Sequence, residues 1–115
     1  MAMGWTLVFY QTPAGERPVA IFVERLPEPA RAAAAALLVV LRERGNLLRA
    51  PHSKPVGDGL FELRNVRHAV RIFDMFVPDR QVVLLDGIVK KRDDTPSAVL
   101  ERLRQLQREV LASKT

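Results

Sequence analysis

The chain has 115 residues, of which 48% are apolar and 27% charged, so it can fold around one core, and we expect a single domain over residues 1–115. It contains no cysteine, which excludes disulfides, thiolate metal sites and a cysteine nucleophile. The formal net charge of +5 is compatible with a polyanionic partner and equally with a basic surface kept for solubility.

The first half of the chain predicts one strand followed by two helices. Trp5 to Tyr10 is rich in β-branched and aromatic residues and precedes turn-forming residues, which predicts a strand. Arg17 to Leu26 spaces its apolar residues for one face of a short helix, although its β-branched residues would equally fit a strand. Ala30 to Arg44 is strongly helix-forming, begins after two prolines and ends at Gly45, which predicts a longer helix.

The second half predicts three antiparallel strands and a final helix. After a loop through Pro51, three strand-like runs are joined by short turns: Leu60 to Val66, Ala69 to Val77, and Gln81 to Lys90. Thr95 is expected to cap the last helix, with Pro96 at its first position. The helix carries one apolar stripe, formed by Val99, Leu103, Leu106 and Val110. The order of elements predicts an α+β fold.

Positive charge is concentrated between Arg42 and Arg71. Strand alternation puts Arg71 on the same side as Phe73, and a hairpin with the preceding strand would bring Arg64 to the same open, polar face. Guanidinium groups bind phosphate and aromatic rings stack on unpaired bases, so this grouping suits single-stranded RNA. Structural alternatives exist: an ion pair between Arg64 and Glu62, and a core position for Phe73.

Four segments in the right order carry a resemblance to a known family: Pro51 to Arg64, Val70 to Phe73, Val82 to Lys91, and Asp94 to Pro96. They supply a lysine, a Gly-Leu-Phe-Glu-Leu-Arg strand, an Arg-Ile-Phe strand, a Leu-Leu-x-Gly strand ending in Lys-Lys, and a Thr-Pro helix start. In these features the chain resembles the phage-derived HigB-like branch of the RelE/ParE toxin superfamily, over nearly its whole length.

The resemblance implies a RelE-like fold, in which an N-terminal strand and two helices pack on an antiparallel sheet with a C-terminal helix. It also implies a toxin of a type II toxin-antitoxin system, an endoribonuclease that cleaves mRNA on the ribosome, and an antitoxin partner, often a helix-turn-helix protein. The residues expected at the RNA-facing site are Lys54, Arg64, Arg71, Lys90 and Lys91. Arg67 and Phe73 are expected to add RNA contacts.

The proton steps of such a reaction have three candidate groups: His68, Lys54 and Glu62. His68 can take or give a proton near neutral pH, but it is equally a hairpin-turn residue. Val70, Asp86 and Ile88 stand where the family usually has a tyrosine, a histidine and an aromatic residue. Two other functions therefore stay open: a non-enzymatic gyrase inhibitor of the ParE kind, and a degenerate, prophage-derived binding protein.

We expect no metal and no cofactor, because the two histidines, His52 and His68, do not have zinc-ligand spacing. The first residues carry no basic segment, and the longest apolar stretch, Ala32 to Leu41, is too short to span a bilayer. The expectation is a cytoplasmic protein without membrane contact.

Overall fold

A computed structural model describes residues 4–92 and 94–113 as a five-stranded sheet with helices on both faces. The elements in chain order are β1 (Thr6–Phe9), α1 (Pro18–Glu24), α2 (Glu28–Arg44), a 3-10 turn (Gly45–Leu47), β2 (Ser53–Gly57), β3 (Leu60–Asn65), β4 (Val70–Val77), β5 (Gln81–Val89) and α3 (Ser97–Ser113). The alternative of a strand before Leu26 is therefore excluded. None of these helices has an apolar run long enough to cross a membrane.

The strands lie in the order β1-β5-β4-β3-β2. Strands β2 to β5 form an antiparallel meander, of which β3 to β5 are the three antiparallel strands that the sequence predicted. β1 departs from that pattern, because it pairs with β5 in parallel, with Thr6 opposite Gln81. A parallel pair needs a long crossover, and the intervening helices and strands supply it.

The sequence interpretation missed β2, which was expected to be part of a loop. β2 is an edge strand, and its Pro55 is tolerated there because an edge strand need not donate every backbone N–H. Asp58 and Gly59 form the tight turn to β3 with positive φ angles of 55° and 80°. Asp-Gly is a strong hairpin signal, and Val56 precedes it, so the sequence did carry an indication of this strand.

The core is divided between the two sheet faces. On one face α1 and α2 cover Leu63, Ile72 and Leu84. Gly87 lies on this side, where a side chain at its position would collide with the ring of Phe22 from α1. On the other face α3 packs against Phe73, Met75 and Leu85, among others, through its predicted apolar stripe; Leu103, Leu106 and Val110 of that stripe are buried.

Asp74 is a buried carboxylate on the face that α1 and α2 cover. It pairs in register with Phe61 of β3 and follows a bulge in the ladder between β4 and β5. Its side chain is 0% exposed, and neither carboxylate oxygen has a hydrogen-bond partner in the described part of the chain. Burial raises the pKa of Asp74 well above the usual value of 3.8, because a charged carboxylate is poorly solvated there.

Asp74→Asn is expected to stabilise the protein at neutral and alkaline pH. The wild type loses stability as pH rises from 3.8 toward the raised folded pKa, by at most about 1.4 kcal/mol per pH unit. Asparagine has no proton to lose, so its advantage in unfolding free energy grows with pH. Urea unfolding at about pH 4, 6 and 8 measures the difference.

Asp79→Asn is the matched control, since Asp79 lies exposed in the turn between β4 and β5. The same chemical change at this position should leave the pH dependence of unfolding unaltered. Equal pH profiles for Asp74→Asn and the wild type would show that burial of Asp74 does not disfavour its charge.

Candidate nucleic-acid interface

Three neighbouring strands bring the predicted basic residues to one end of the sheet. Lys54 of β2 is opposite Glu62 of β3, and Arg64 of β3 is opposite Arg71 of β4. Residues that are paired in this way project from the same sheet face. The register therefore places Lys54, Glu62, Arg64 and Arg71 on one face, as strand alternation predicted for the two arginines.

Glu62 joins the two arginines. Its Oε1 atom lies 3.5 Å from Nε of Arg64 and 3.4 Å from Nε of Arg71. The Glu62 side chain is fully buried, that of Arg71 is 2% exposed and that of Arg64 is 16% exposed. One carboxylate thus compensates part of the charge of two guanidinium groups, and Arg64 is the more exposed of the two arginines.

The segment before α3 completes this cluster. Nη1 of Arg71 donates to the Asp94 carbonyl at 3.2 Å, and the Thr95 hydroxyl donates to Oε2 of Glu62 at 3.3 Å. The prediction that Thr95 caps the helix is wrong, because its hydroxyl bonds to Glu62 and α3 begins at Ser97. Pro96 precedes the helix, and its carbonyl accepts from the Leu100 N–H.

A small cavity of about 40 Å³ collects four predicted cationic residues, and we call it the cationic pocket. It is lined by Arg64, Asn65, Val66, Ala69, Val70, Arg71, Lys90 and Lys91. The backbone N–H of Lys90 donates to the Ala69 carbonyl at 2.8 Å, which holds the end of β5 against the turn between β3 and β4. The pocket has the size and charge of a site for one anionic group.

A second cavity of about 170 Å³ lies beside the first, and we call it the edge pocket. It is lined by Ala50, Pro51, Ser53, Lys54, Arg64 and Val66. Arg64 and Val66 border both pockets. The structure therefore brings Lys54 together with Arg64, but in the edge pocket rather than in the cationic pocket.

The predicted open face is wrong for two of its residues. Phe73 is 0% exposed in the core beneath α3, so its ring is not available to stack on a base, and Arg71 is almost fully buried. Alternation alone assigns residues to a face, but it does not tell whether another element covers that face. Here α3 covers that face, and the alternative of a core position for Phe73 is confirmed.

Arg67 and His68 lie in the turn between β3 and β4 and border neither pocket. The His68 backbone N–H donates to the Asn65 side-chain oxygen at 2.9 Å, as expected of a turn residue. Within residues 4–92 and 94–113, no group of three or more His, Asp or Glu side chains is placed to hold a metal ion.

Sequence reasoning missed Val66. It assigned this residue to the end of a strand, but β3 ends at Asn65 and Val66 belongs to the turn. Its side chain is 75% exposed, the highest value among the large apolar residues of the described chain. The sequence feature that could have singled out Val66 is an apolar residue between the polar residues Asn65 and Arg67.

Comparison with known proteins identifies the family. The profile of a family described as phage derived protein Gp49-like matches residues 22–108, which is most of the chain. The fold is similar to the crystal structure of the isolated RelE toxin of E. coli, with a TM-score of 0.58 and 17% identity over 86% of this chain and 98% of that one. The RelBE2 toxin-antitoxin complex of Mycobacterium tuberculosis matches with a TM-score of 0.48 and 20% identity, over 80% of this chain and 98% of that one.

The chain belongs to the phage-derived Gp49-like family and has a RelE-like fold. The α+β fold class and the predicted resemblance to phage-derived proteins with a RelE-like fold are thereby confirmed. No curated protein matches the sequence significantly.

Glu62→Gln is expected to lower the free energy of unfolding by about 3 kcal/mol, because removing one member of a buried ion cluster leaves the remaining charges uncompensated. Asp58→Asn is the matched control: Asp58 forms an exposed ion pair with Arg104, with Nε and Oδ2 2.9 Å apart, and its loss should cost at most about 1 kcal/mol. Chemical denaturation of both variants measures the two costs. Equal costs would mean that Glu62 does not stabilise the arginine pair.

Proposed function

We propose that the protein is a toxin of a toxin-antitoxin system that cleaves mRNA on the ribosome. The observation that carries the proposal is the convergence of Arg64, Arg71, Lys90 and Lys91 on one pocket at the end of the sheet. Membership of a phage-derived family and the RelE-like fold support it. The proposal places the protein in the cytoplasm, where translating ribosomes are.

The reaction proposed is an internal transesterification of RNA. The ribose 2′-oxygen attacks the adjacent phosphorus and the bond to the 5′-oxygen breaks, which leaves a 2′,3′-cyclic phosphate and a 5′-hydroxyl. Negative charge accumulates on the non-bridging oxygens in the transition state. Arg64 and the two lysines of the cationic pocket would stabilise that charge, and the buried Arg71 would add to the local positive potential.

Two protons move in this reaction, one from the 2′-hydroxyl and one to the 5′-oxygen. Among the residues considered for these transfers, Lys54 is the one that shares a pocket with Arg64. Glu62 is fully buried and is engaged with both arginines, and His68 borders neither pocket. We therefore assign Glu62 a positioning role and Lys54 the first place as a proton-transfer group.

A toxin of this kind needs a partner that restrains it. We propose a cognate antitoxin, with a DNA-binding helix-turn-helix region as in many such pairs. An antitoxin that binds over the basic end of the sheet would need acidic or polar groups there, because the cationic pocket would otherwise be desolvated without a counter-charge.

Induced expression of the protein in a bacterium, without an antitoxin, tests the activity. We expect growth arrest and new mRNA 5′ ends within translated regions, mapped by primer extension. Arg64→Ala should reduce this cleavage by at least about 100-fold, because it removes a stabilising charge from the transition state. Arg31→Ala, an exposed arginine of α2 on the other side of the sheet, is the matched control and should cleave normally.

The alternatives give different results. Growth arrest with intact mRNA and DNA damage would indicate a gyrase inhibitor of the ParE kind. Normal growth with folded protein would indicate a degenerate, prophage-derived binding protein. If Arg64→Ala unfolds, Arg64 has a structural role. The proposed activity would then be judged from the mRNA cleavage pattern of the wild type alone.

A further inference from the structure

We infer that the edge pocket binds the nucleobase next to a phosphate held in the cationic pocket, and that it sets the base preference at the cleavage site. This inference rests on the proposed function and adds to it a specificity site, whose apolar walls are separate from the charge-stabilising residues and which shares only Arg64 and Val66 with the cationic pocket. The edge pocket is lined by Ala50, Pro51, Ser53, Lys54, Arg64 and Val66.

The two pockets are contiguous. Arg64 and Val66 form walls of both. The backbone N–H of Arg64 donates to the His52 carbonyl at 3.0 Å, and Ser53 pairs in register with Leu63. The segment that forms the outer wall of the edge pocket is thus fixed beside the strand that carries Arg64. A phosphate at Arg64 would place the next nucleoside at the edge pocket.

The chemistry of the two pockets differs in the way that a nucleotide requires. The cationic pocket is small, about 40 Å³, and four cationic side chains line it. The edge pocket is about 170 Å³, enough for one planar base, and Ala50, Pro51 and Val66 give it apolar walls. Lys54 and Arg64 add hydrogen-bond donors, which suit the ring nitrogens and carbonyl oxygens of a base.

The position of Val66 supports a binding role. A turn residue needs no apolar side chain, and exposing one to water has a cost. Val66 is 75% exposed and stands between the two pockets, where a base bound in the edge pocket would cover it. A polar residue would serve the turn equally well, but it would not pack against a base.

A double-mutant comparison tests the pocket directly. The probe is a short single-stranded RNA whose 2′-O-methyl groups prevent cleavage, either intact or with one abasic position, and its binding is measured by fluorescence anisotropy. We expect the abasic position nearest the bound phosphate to weaken binding to the wild type about fivefold or more. In Val66→Ser the same abasic position should have little further effect, because the packing surface is already lost.

Leu47→Ser is the matched control, since Leu47 is 72% exposed in the 3-10 turn and lines neither pocket. It should keep the wild-type abasic penalty. Ala50→Phe is the second variant, which should narrow the edge pocket, since Ala50 lines that pocket and does not line the cationic pocket. In the expression experiment the cuts that remain should shift toward smaller bases by about tenfold relative to the wild type, whatever the change in total cleavage.

The outcomes separate this inference from the proposed function. The inference is overturned if intact RNA binds the wild type but the abasic penalty in Val66→Ser equals that of the wild type and the cut-site preference of Ala50→Phe is unchanged. The edge pocket would then not bind a base, whereas the proposed nuclease activity would be unaffected. A wild type that neither binds RNA nor produces cuts would overturn the proposed function, and the inference with it.

Discussion

The Glu62 carboxylate is placed between two guanidinium groups that face each other across the sheet. Arg64 and Arg71 are a direct cross-strand pair, and like charges in such positions repel. Glu62 lies within 3.5 Å of Nε of both arginines and is fully buried, so it offsets this repulsion where water cannot. Without the negative charge of Glu62, the repulsion between Arg64 and Arg71 at this end of the sheet would be uncompensated.

The same carboxylate connects the site to α3. The Thr95 hydroxyl donates to Glu62, and the Asp94 carbonyl accepts from Arg71, so the segment before the helix is fixed by the arginine cluster. Farther along, Arg102 pairs with Asp86 of β5, with Nε and Oδ2 2.9 Å apart. The position of α3 and the orientation of the arginines thus depend on each other. Since α3 also buries Phe73, this helix determines which side chains of the face can contact a ligand.

The sequence predicted the elements that depend on local patterns. The alanine-rich α2, the last three strands and the apolar stripe of α3 are periodic segments whose type follows from spacing. The parallel pairing of β1 with β5 depends on long-range packing, which no local pattern encodes. β2 was missed because Pro55 weakens its strand signal, although the Asp58-Gly59 turn indicated a hairpin.

For the site, the basic residues could be predicted but their exposure could not. Arg64, Arg71, Lys90 and Lys91 do converge, as the resemblance implied. Arg71 and Phe73 are buried because α3 lies over their face of the sheet. The apolar stripe of an amphipathic helix predicts that the helix packs against the core, but not which surface it covers. For Val66 the error was the opposite one: this β-branched residue at the end of a strand-like run was predicted to belong to the strand, but it is an exposed turn residue.

On the proposed function, the two arginines would contribute to charge stabilisation in different ways. Arg71 is nearly enclosed and its guanidinium is engaged by Glu62 and the Asp94 carbonyl, so it would contribute through the electrostatic potential rather than through a flexible contact. Arg64 lines both pockets and would be the group that contacts the ligand. Charges fixed by buried partners need little reorganisation when a transition state forms. On the proposed function, such a site would depend on accurate alignment of its substrate, which a ribosome-bound mRNA would supply.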